Sequence, residues 1–216
     1  MRLLIITAVD REARAIGGAE DAAVLAGGIG RTNAAAATTQ ALLRAGPFDA
    51  VINAGLAGAL PGSDLAVGDA VVASGCIYAE EGLIAPTGFA DIASIGLSLG
   101  DFEGNAVPVD EALLDVLGAS FRIGPLATVA TCSGTDEAAT MIAQRTDALA
   151  EAMEGAAVVH AARRLQTPAI ELRAISNFAG DRSAQQWDSA RALEALGQAT
   201  LRAIKLIRDS GLYGLH

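Results

Sequence analysis

The hydrophobic positions of this 216-residue chain form short apolar runs, which alternate with longer segments where apolar residues recur every three or four positions. The short runs predict buried strands, and the longer segments predict helices. Strands are predicted at 3–9, 22–26, 50–54, 67–74, 126–131, 148–153 and 168–176, and helices at 32–45, 110–119, 136–145, 154–165 and 189–209. This order indicates a single α/β domain over residues 1–216, with three α/β/α layers around a twisted, mixed and mostly parallel sheet.

Two segments carry further structural expectations. Thr32 or Asn33 is expected to cap the helix at 32–45, because both side chains can accept a hydrogen bond from a free N–H of the first turn. The stretch 82–105 has no regular pattern. It is long enough to form a lid or a subunit contact, and it is also compatible with a plain surface loop.

Composition and charge narrow the classes of function. A net charge of −10 and the lack of a basic run argue against a nucleic-acid partner. No stretch of about 18 residues is apolar throughout, and the first apolar run turns acidic, so we expect a cytoplasmic protein without a membrane span or signal peptide. Cys76 and Cys132 form no C-x-x-C pair, so we expect neither a disulfide framework nor a metal site.

One carboxylate stands in an apolar segment. Residues 148–162 read ALAEAMEGAAVVHAA, and Glu154 lies there among small and apolar side chains. A buried, ionised carboxylate is costly unless it has strong partners. The two adjacent hydroxyls of a ribose would be such partners, since one carboxylate accepts two O–H donors. The segment is equally compatible with Glu154 in the first turn of a helix, where its charge suits the helix dipole.

Polar and glycine-rich segments follow the predicted strands, and ligands of such sheets bind beyond the carboxyl ends of the strands. Three of these ends carry residues suited to acid–base or hydrogen-bonding work: Glu12, Glu154, and Asn177 or Asp181. The glycines at 27–30 either cradle an anion or make a tight turn into the next helix. The strand-end segments are 10–12, 27–31, 55–58, 133–136, 153–154 and 177–182.

Six motifs, in order along nearly the whole chain, carry a resemblance to a known superfamily. They are IITAVDREA from Ile5, GGIGRTNAAAAT from Gly27, NAGLAGAL from Asn53, VGDAVVAS from Val67, AMEGAAVVH from Ala152 and RAISN from Arg173. On these motifs the chain resembles the nucleoside phosphorylase and nucleosidase superfamily. Within it, the chain is similar to the methylthioadenosine/S-adenosylhomocysteine nucleosidases and, more closely, to the futalosine hydrolases.

The resemblance implies a role for individual residues. Glu12 matches the acidic residue that activates the attacking water. Met153 and Glu154 match the pair that holds the ribose, with Glu154 on its hydroxyls. Asn177 matches the position that contacts the purine, where methylthioadenosine nucleosidases carry aspartate. Thr135 stands in register with another aspartate of those nucleosidases, near the base.

The segment 180–188 also resembles the futalosine hydrolases. Arg182 is a candidate for pairing with a substrate carboxylate through its planar fork, and Trp187 for covering the ligand. The alternative is a solvated Arg182 and a Trp187 that packs the start of the last helix. Asp181 rivals Asn177 as the group that meets the base. Leu56 departs from the family, because a serine that helps to hold water and sugar often stands at this position.

The chemistry of these residues favours hydrolysis over phosphorolysis. Cleavage of an N-glycosidic bond passes through an oxocarbenium-like state, and a carboxylate such as Glu12 stabilises that charge and takes a proton from water. Phosphorylases of the family carry one arginine soon after the first strand, where Arg11 and Arg14 flank Glu12 here. They carry another directly before the third glycine-rich motif, where this chain has Asn53. At Asn177 an amide cannot act as a general acid, but its donor and acceptor suit the O6/N7 edge of a 6-oxopurine.

The resemblance therefore implies an N-glycosyl hydrolase that releases hypoxanthine from futalosine, leaves dehypoxanthine futalosine and serves menaquinone biosynthesis. Its partners would be a purine nucleoside and water, without a metal or an organic cofactor. Members of the family are commonly homodimers or larger, with a neighbouring subunit closing the site. The alternatives are a methylthioadenosine/S-adenosylhomocysteine nucleosidase, a phosphate-dependent purine nucleoside phosphorylase, and a nucleoside-binding sensor without turnover.

Overall fold

The computed structural model of the protein describes residues 1–18 and 22–214. In this part of the chain, strands and helices alternate. The strands are β1 (Leu3–Thr7), β2 (Ala22–Ala26), β3 (Ala50–Ala59), β4 (Ala70–Tyr78), β5 (Gly82–Ala85), β6 (Gly88–Asp91), β7 (Ala106–Pro108), β8 (Arg122–Thr128), β9 (Ala150–Ala152) and β10 (Ala169–Phe178). The helices are α1 (Asp10–Ile16), α2 (Arg31–Ala45), α3 (Glu111–Gly118), α4 (Asp136–Thr146), α5 (Gly155–Arg164) and α6 (Ser189–Asp209).

A mixed sheet connects most of the strands, in the order β10-β4-β8-β9-β3-β1-β2, with β7 beside β4. The pairs β1–β2, β1–β3, β3–β10, β4–β8 and β8–β9 are parallel. The pairs β3–β9, β4–β7 and β4–β10 are antiparallel. Strand β10 pairs with both β3 and β4, so it contacts two separate parts of the sheet. The predicted α/β class with a mixed, mostly parallel sheet is confirmed.

Helices pack against this sheet in two groups. Helices α1 and α3 contact α6, and α2 contacts α5. Small side chains make the close approach possible, because α5 buries Ala156, Ala157, Ala161 and Ala162. All five residues of β1 are buried, as expected for a strand that is covered on both faces. Among the helices that the structure describes, none is both long and apolar enough to cross a membrane.

Two element boundaries differ from the prediction near the site. The first strand ends at Thr7, and the unpredicted helix α1 follows it, so Glu12 lies in the first turn of a helix. The third strand was expected to end at Gly55, but β3 continues to Ala59. Gly55 suits this strand because the guanidinium of Arg173 occupies the space beside it, and an added Cβ would lie 2.4 Å from Arg173 Nη1. The segment 55–58 is therefore part of a strand and not a loop after it.

Two further expectations also need correction. The N-cap of α2 is Gly30 without a side-chain cap, so the expectation of a cap by Thr32 or Asn33 is wrong. Asn33 Nδ2 instead donates to the carbonyl of Ile29, at 2.8 Å. The stretch 82–105 is more regular than expected, because β5 and β6 pair within it as an antiparallel hairpin.

Gly155, the first residue of α5, packs against the buried carboxyl group of Glu171 on β10. A Cβ added to Gly155 would lie 1.9 Å from Glu171 Oε2, far inside van der Waals contact. The sequence Glu154–Gly155 therefore requires glycine, because α5 begins directly over this carboxylate.

We predict that Gly155→Ala lowers the free energy of unfolding by about 1–3 kcal/mol, the usual cost of overpacking a buried site. Urea unfolding of both proteins measures this difference. Gly18→Ala is the matched control, because an added Cβ meets nothing within 4 Å there. Equal losses in the two variants would contradict the packing argument.

Candidate active site

A cavity of about 550 Å³ lies where several strands of the sheet end. Six of the candidate residues from the sequence line it: Glu12, Met153, Glu154, Asn177, Arg182 and Trp187. These residues come from α1, from the β9–α5 junction, and from the end of β10 and the segment that follows it. The structure therefore brings the two predicted carboxylates and the predicted amide to one site.

Glu12 is buried, and main-chain groups orient its carboxylate. Its Oε2 accepts hydrogen bonds from the N–H groups of Ala8, at 3.0 Å, and Val9, at 3.1 Å. Its Oε1 accepts from the N–H of Leu56, at 2.9 Å. Leu56, where the family serine was expected, thus contributes through its backbone. An ionised carboxylate offers about four acceptor positions, so three amides leave one for a ligand or water.

Glu154 is buried at the N-cap of α5, and its carboxylate has two protein partners. Its Oε1 accepts from the N–H of Gly30, at 3.0 Å. Its Oε2 lies 3.3 Å from Nη1 of Arg173. Glu154 thus stands one residue before the first turn of α5 and also lines the cavity, and its contact with a ribose stays a prediction. The glycine-rich turn at 27–30 contributes an amide to Glu154.

Arg173, which is 1% exposed, was quoted within a motif but was not predicted to act at the site. Its Nε donates to Glu171 at 2.7 Å, and its Nη2 donates to Asn53 Oδ1. Burial acts to lower the pKa of Arg173, but Glu171, Glu154 and Glu12 together raise it above its ordinary value. One guanidinium thus balances several carboxylates. The available signal was the charged pair at 171 and 173, which share a face of an otherwise apolar strand.

Asn177 lies at an irregularity in β10, where the pairing with β3 shifts between Ile175 and Asn177. Such a shift changes the direction in which the following side chain points. Asn177 Oδ1 accepts from Ser176 Oγ at 2.9 Å, and its Nδ2 donates to the carbonyl of Phe178 at 3.2 Å. The amide is 4% exposed and lines the cavity, so its orientation is largely fixed before a ligand binds.

The structure places two other predicted residues outside this cavity. Thr135 is the N-cap of α4, and its Oγ1 accepts from the N–H of Ala138 at 3.2 Å. Asp181 lines a neighbouring cavity of about 630 Å³. Hydrogen bonds from the side chain and backbone of Ser183 lower the pKa of Asp181, so this exposed carboxyl is poorly suited to donate a proton. Of the two rivals for the base, Asn177 is the one that shares the cavity with Glu12.

Arg182, Gln185 and Trp187 form a polar and aromatic side of the cavity. The guanidinium carbon of Arg182 lies 4.9 Å from the centre of the Trp187 ring. Gln185 Oε1 accepts from Trp187 Nε1, at 3.0 Å, and from Arg182 Nη1, at 3.2 Å. Arg182 and Trp187 therefore lie together at the cavity, where a planar or anionic group of a ligand can contact both.

Two residues of the cavity wall, Glu151 and Cys132, had no predicted role. Glu151 is buried, and its Oε1 and Oε2 accept from the N–H and Oγ of Ser133, at 2.7 and 2.6 Å. Burial raises the pKa of Glu151, while the bonds from Ser133 act in the opposite direction. Burial also raises the pKa of Cys132, which keeps this thiol in its weakly nucleophilic form. Within the described residues, no cluster of three or more histidine, cysteine or acidic side chains is arranged to hold a metal ion.

Comparison with protein families identifies relatives over most of the chain. The model of the phosphorylase superfamily matches residues 12–210. The futalosine hydrolase of Streptomyces coelicolor is 35% identical over 181 residues, which cover 82% of this chain and 75% of that protein. The futalosine hydrolase of Acidothermus cellulolyticus is 36% identical over 222 residues, which cover 92% and 88%.

Solved structures share the fold. The futalosine hydrolase of Helicobacter pylori aligns with a TM-score of 0.75 and 20% identity, covering 97% of this chain and 98% of that one. The 5′-methylthioadenosine/S-adenosylhomocysteine nucleosidase of S. pneumoniae aligns with a TM-score of 0.77 and 22% identity, covering 96% and 100%. At these identities the likeness supports the fold.

We predict that Arg173→Met lowers the free energy of unfolding by about 3–5 kcal/mol, because it leaves buried carboxylates without their counter-charge. Chemical denaturation with urea measures the loss. Arg44→Met on the exposed surface of α2 is the control, with a change of about 0.5 kcal/mol or less. If the two variants were equally stable, the proposed charge balance would be wrong.

Proposed function

The chain belongs to the phosphorylase superfamily and, within it, to the futalosine hydrolases, and from this premise we propose that it hydrolyses the N-glycosidic bond of futalosine. The products are hypoxanthine and dehypoxanthine futalosine, as expected for an enzyme of menaquinone biosynthesis. One observation carries the assignment of the site: Glu12 and Glu154, which are remote in sequence, open onto one cavity together with Asn177.

Glu12 acts on the water. The N–H groups of Ala8, Val9 and Leu56 hold its carboxylate, and the remaining acceptor position binds a water molecule. As the bond between C1′ and N9 breaks, its electron pair leaves with the base and positive charge develops on the sugar. Glu12 stabilises that charge and takes a proton from the water, whose oxygen then bonds to C1′.

Glu154 holds the ribose with Met153 beside it. Arg173 and the N–H of Gly30 keep the Glu154 carboxylate in a fixed position inside the protein. Each carboxylate oxygen has a second lone pair, so Glu154 can still accept hydrogen bonds from two ribose hydroxyls. Because its position is set before the substrate binds, little freedom is lost when the sugar docks.

Asn177 contacts the purine in this proposal. A side-chain amide does not donate a proton as an acid, but its N–H can donate a hydrogen bond to O6 or N7, where negative charge grows as the base leaves. The base departs as its anion and takes the proton that completes hypoxanthine from water. The hydrogen bond from Asn177 favours hypoxanthine over adenine as the leaving group. Arg182 and Trp187 lie at the same cavity, and they suit the carboxylated aromatic 5′ group of futalosine.

Hydrolysis is favoured over phosphorolysis by the groups that surround the glycine-rich segments. Asn53, at the position of a phosphorylase arginine, donates to the carbonyl of Ile6 at 2.9 Å and accepts from Arg173. Arg31, next to the glycines at 27–30, forms an ion pair with Glu81. Its positive charge is therefore already engaged by a carboxylate, which weakens the case for a phosphate site.

We further propose a cytoplasmic homodimer or larger oligomer in which a neighbouring subunit closes the cavity. Ile29 lines the cavity although it is 56% exposed. Leu83 and Ile84 on the β5–β6 hairpin are also exposed, so apolar surface is available for a subunit contact.

Incubation with futalosine is the direct test of the proposed function. We expect hypoxanthine as the released base at the same rate with and without phosphate, measured by chromatography of the products. 5′-Methylthioadenosine is the comparison substrate, and we expect adenine to be released more slowly from it. Release that requires phosphate would show a phosphorylase, and faster release of adenine would show a methylthioadenosine nucleosidase. Tight binding of futalosine without cleavage would show a sensor.

We predict that Glu12→Gln lowers kcat for futalosine by about 10²- to 10⁴-fold, since the amide cannot take the proton of the water. The Kd for futalosine should change little, because Glu154 and Asn177 still bind the nucleoside. Glu111→Gln on the exposed surface of α3 is the control and should retain the normal rate. Thermal unfolding is measured in parallel, because the NH2 group of the glutamine would face a backbone N–H that donates to Glu12 in the unaltered protein. Two donors that face each other lower stability. A variant with near-normal turnover would remove Glu12 from the mechanism.

A further inference from the structure

We propose that Glu151 determines base specificity by accepting a hydrogen bond from the N1–H of a 6-oxopurine. This inference rests on the proposed function, because it assumes that a purine nucleoside occupies the cavity beside Asn177. It assigns the recognition of the lactam edge of the base to a residue for which the sequence suggested no role.

The strand register places Glu151 and Asn177 on opposite sides of one glycine. Gly58 on β3 pairs with Asn177 on β10 and with Glu151 on β9. Residues that pair across neighbouring strands point to the same face of the sheet, and neighbouring strands lie about 4.8 Å apart. The two side chains therefore stand on one face, with Cα atoms separated by roughly two strand spacings, or about 10 Å.

Gly58 leaves the space between them open. A Cβ at this position would lie 3.3 Å from Asn177 Nδ2, so a larger residue would crowd the amide. Gly58, Glu151 and Asn177 all line the same cavity. The open space above Gly58 is therefore flanked by the amide of Asn177 on one side and the carboxylate of Glu151 on the other. A flat heterocycle fits between these two groups.

Glu151 retains the capacity to bind a ligand. Each of its oxygens already accepts one hydrogen bond from Ser133, and each has a second lone pair. The side chain is 5% exposed, so water does little to solvate it. Burial raises the pKa of Glu151, and a further N–H donor would favour its ionised form.

The chemistry of the base leaves one pairing for such a carboxylate. A hypoxanthine attached to a sugar through N9 has acceptors at O6, N7 and N3, and its only ring N–H donor is at N1. A carboxylate has no hydrogen to donate, so N1–H is the ring group that it can bind. Adenine has a bare lone pair at N1, which would face the negative charge of Glu151, while its amino group occupies the position of O6 beside Asn177.

A matched pair of nucleosides isolates this contact. 5′-Methylthioinosine and 5′-methylthioadenosine have the same sugar and 5′ group and differ only in the base. The measurement is the ratio of kcat/KM for the inosine-type to the adenosine-type compound. We expect Glu151→Gln to lower this ratio about 10- to 100-fold, which is the range for a lost hydrogen bond to a charged group. An unchanged ratio in Glu151→Gln would overturn the proposal.

Ser133→Ala distinguishes recognition from a merely structural role. This variant removes the hydroxyl that bonds Glu151 and keeps the carboxylate. If Glu151 contacts the base, Ser133→Ala changes the rates for both nucleosides alike and leaves their ratio intact. If Glu151 only holds the loop at Ser133, the two variants lower the ratio equally, and the proposal fails.

A measurement on the unaltered protein covers the case in which Glu151→Gln does not fold. Calorimetry compares the binding of hypoxanthine with that of 1-methylhypoxanthine, which has no N1–H. We expect at least about 10-fold weaker binding of the methylated base, and equal binding would contradict the proposal. Failure of the proposed function is a different result, because futalosine itself would then remain uncleaved. That result does not depend on the ratio of kcat/KM for the two methylthio-nucleosides.

Discussion

The structure depends on one buried positive charge. Arg173 lies inside the protein, and it is stable there only because Glu171 and Glu154 neutralise it with Glu12 nearby. The same charge fixes the carboxylate that we assign to the ribose. Space for these groups comes from glycines, since Gly55 lies against the guanidinium and a side chain after Glu154 would collide with Glu171. Some glycines of the sequence motifs are therefore required because the buried charged side chains leave no room for a Cβ beside them.

Most of the fold was predictable because apolar periodicity reports burial. Helix α6 lies at the predicted position and buries the predicted apolar residues Leu196, Ile204 and Ile207. Strand β2 also lies at its predicted position, although none of its residues is buried. The pattern failed where a long-range contact decides the local structure. Gly55 was interpreted as the end of a strand, but an arginine from β10 fills the space beside it and the strand continues. Helix α1 was missed because only seven residues form it, too few to show a period.

The site was predictable in part for the same reason. Glu12 and Asn177 follow apolar runs, so their polar chemistry was visible at the strand ends. Arg173 lies within a buried strand, where the apolar average of its neighbours concealed it. Thr135 and Asp181 also follow strands, but the hydrogen bonds of both side chains go to their own turns. The position of a residue in the sequence does not reveal whether its polar side chain already forms hydrogen bonds within the protein.

The three amides around Glu12 have a consequence for how this protein can change over evolutionary time. They belong to the main chain at Ala8, Val9 and Leu56, so no substitution short of proline deletes them. Natural selection can therefore alter the side chains at these three positions while the orientation of the carboxylate persists. A leucine at position 56 therefore keeps the backbone donor to Glu12, while it lacks the hydroxyl of a serine.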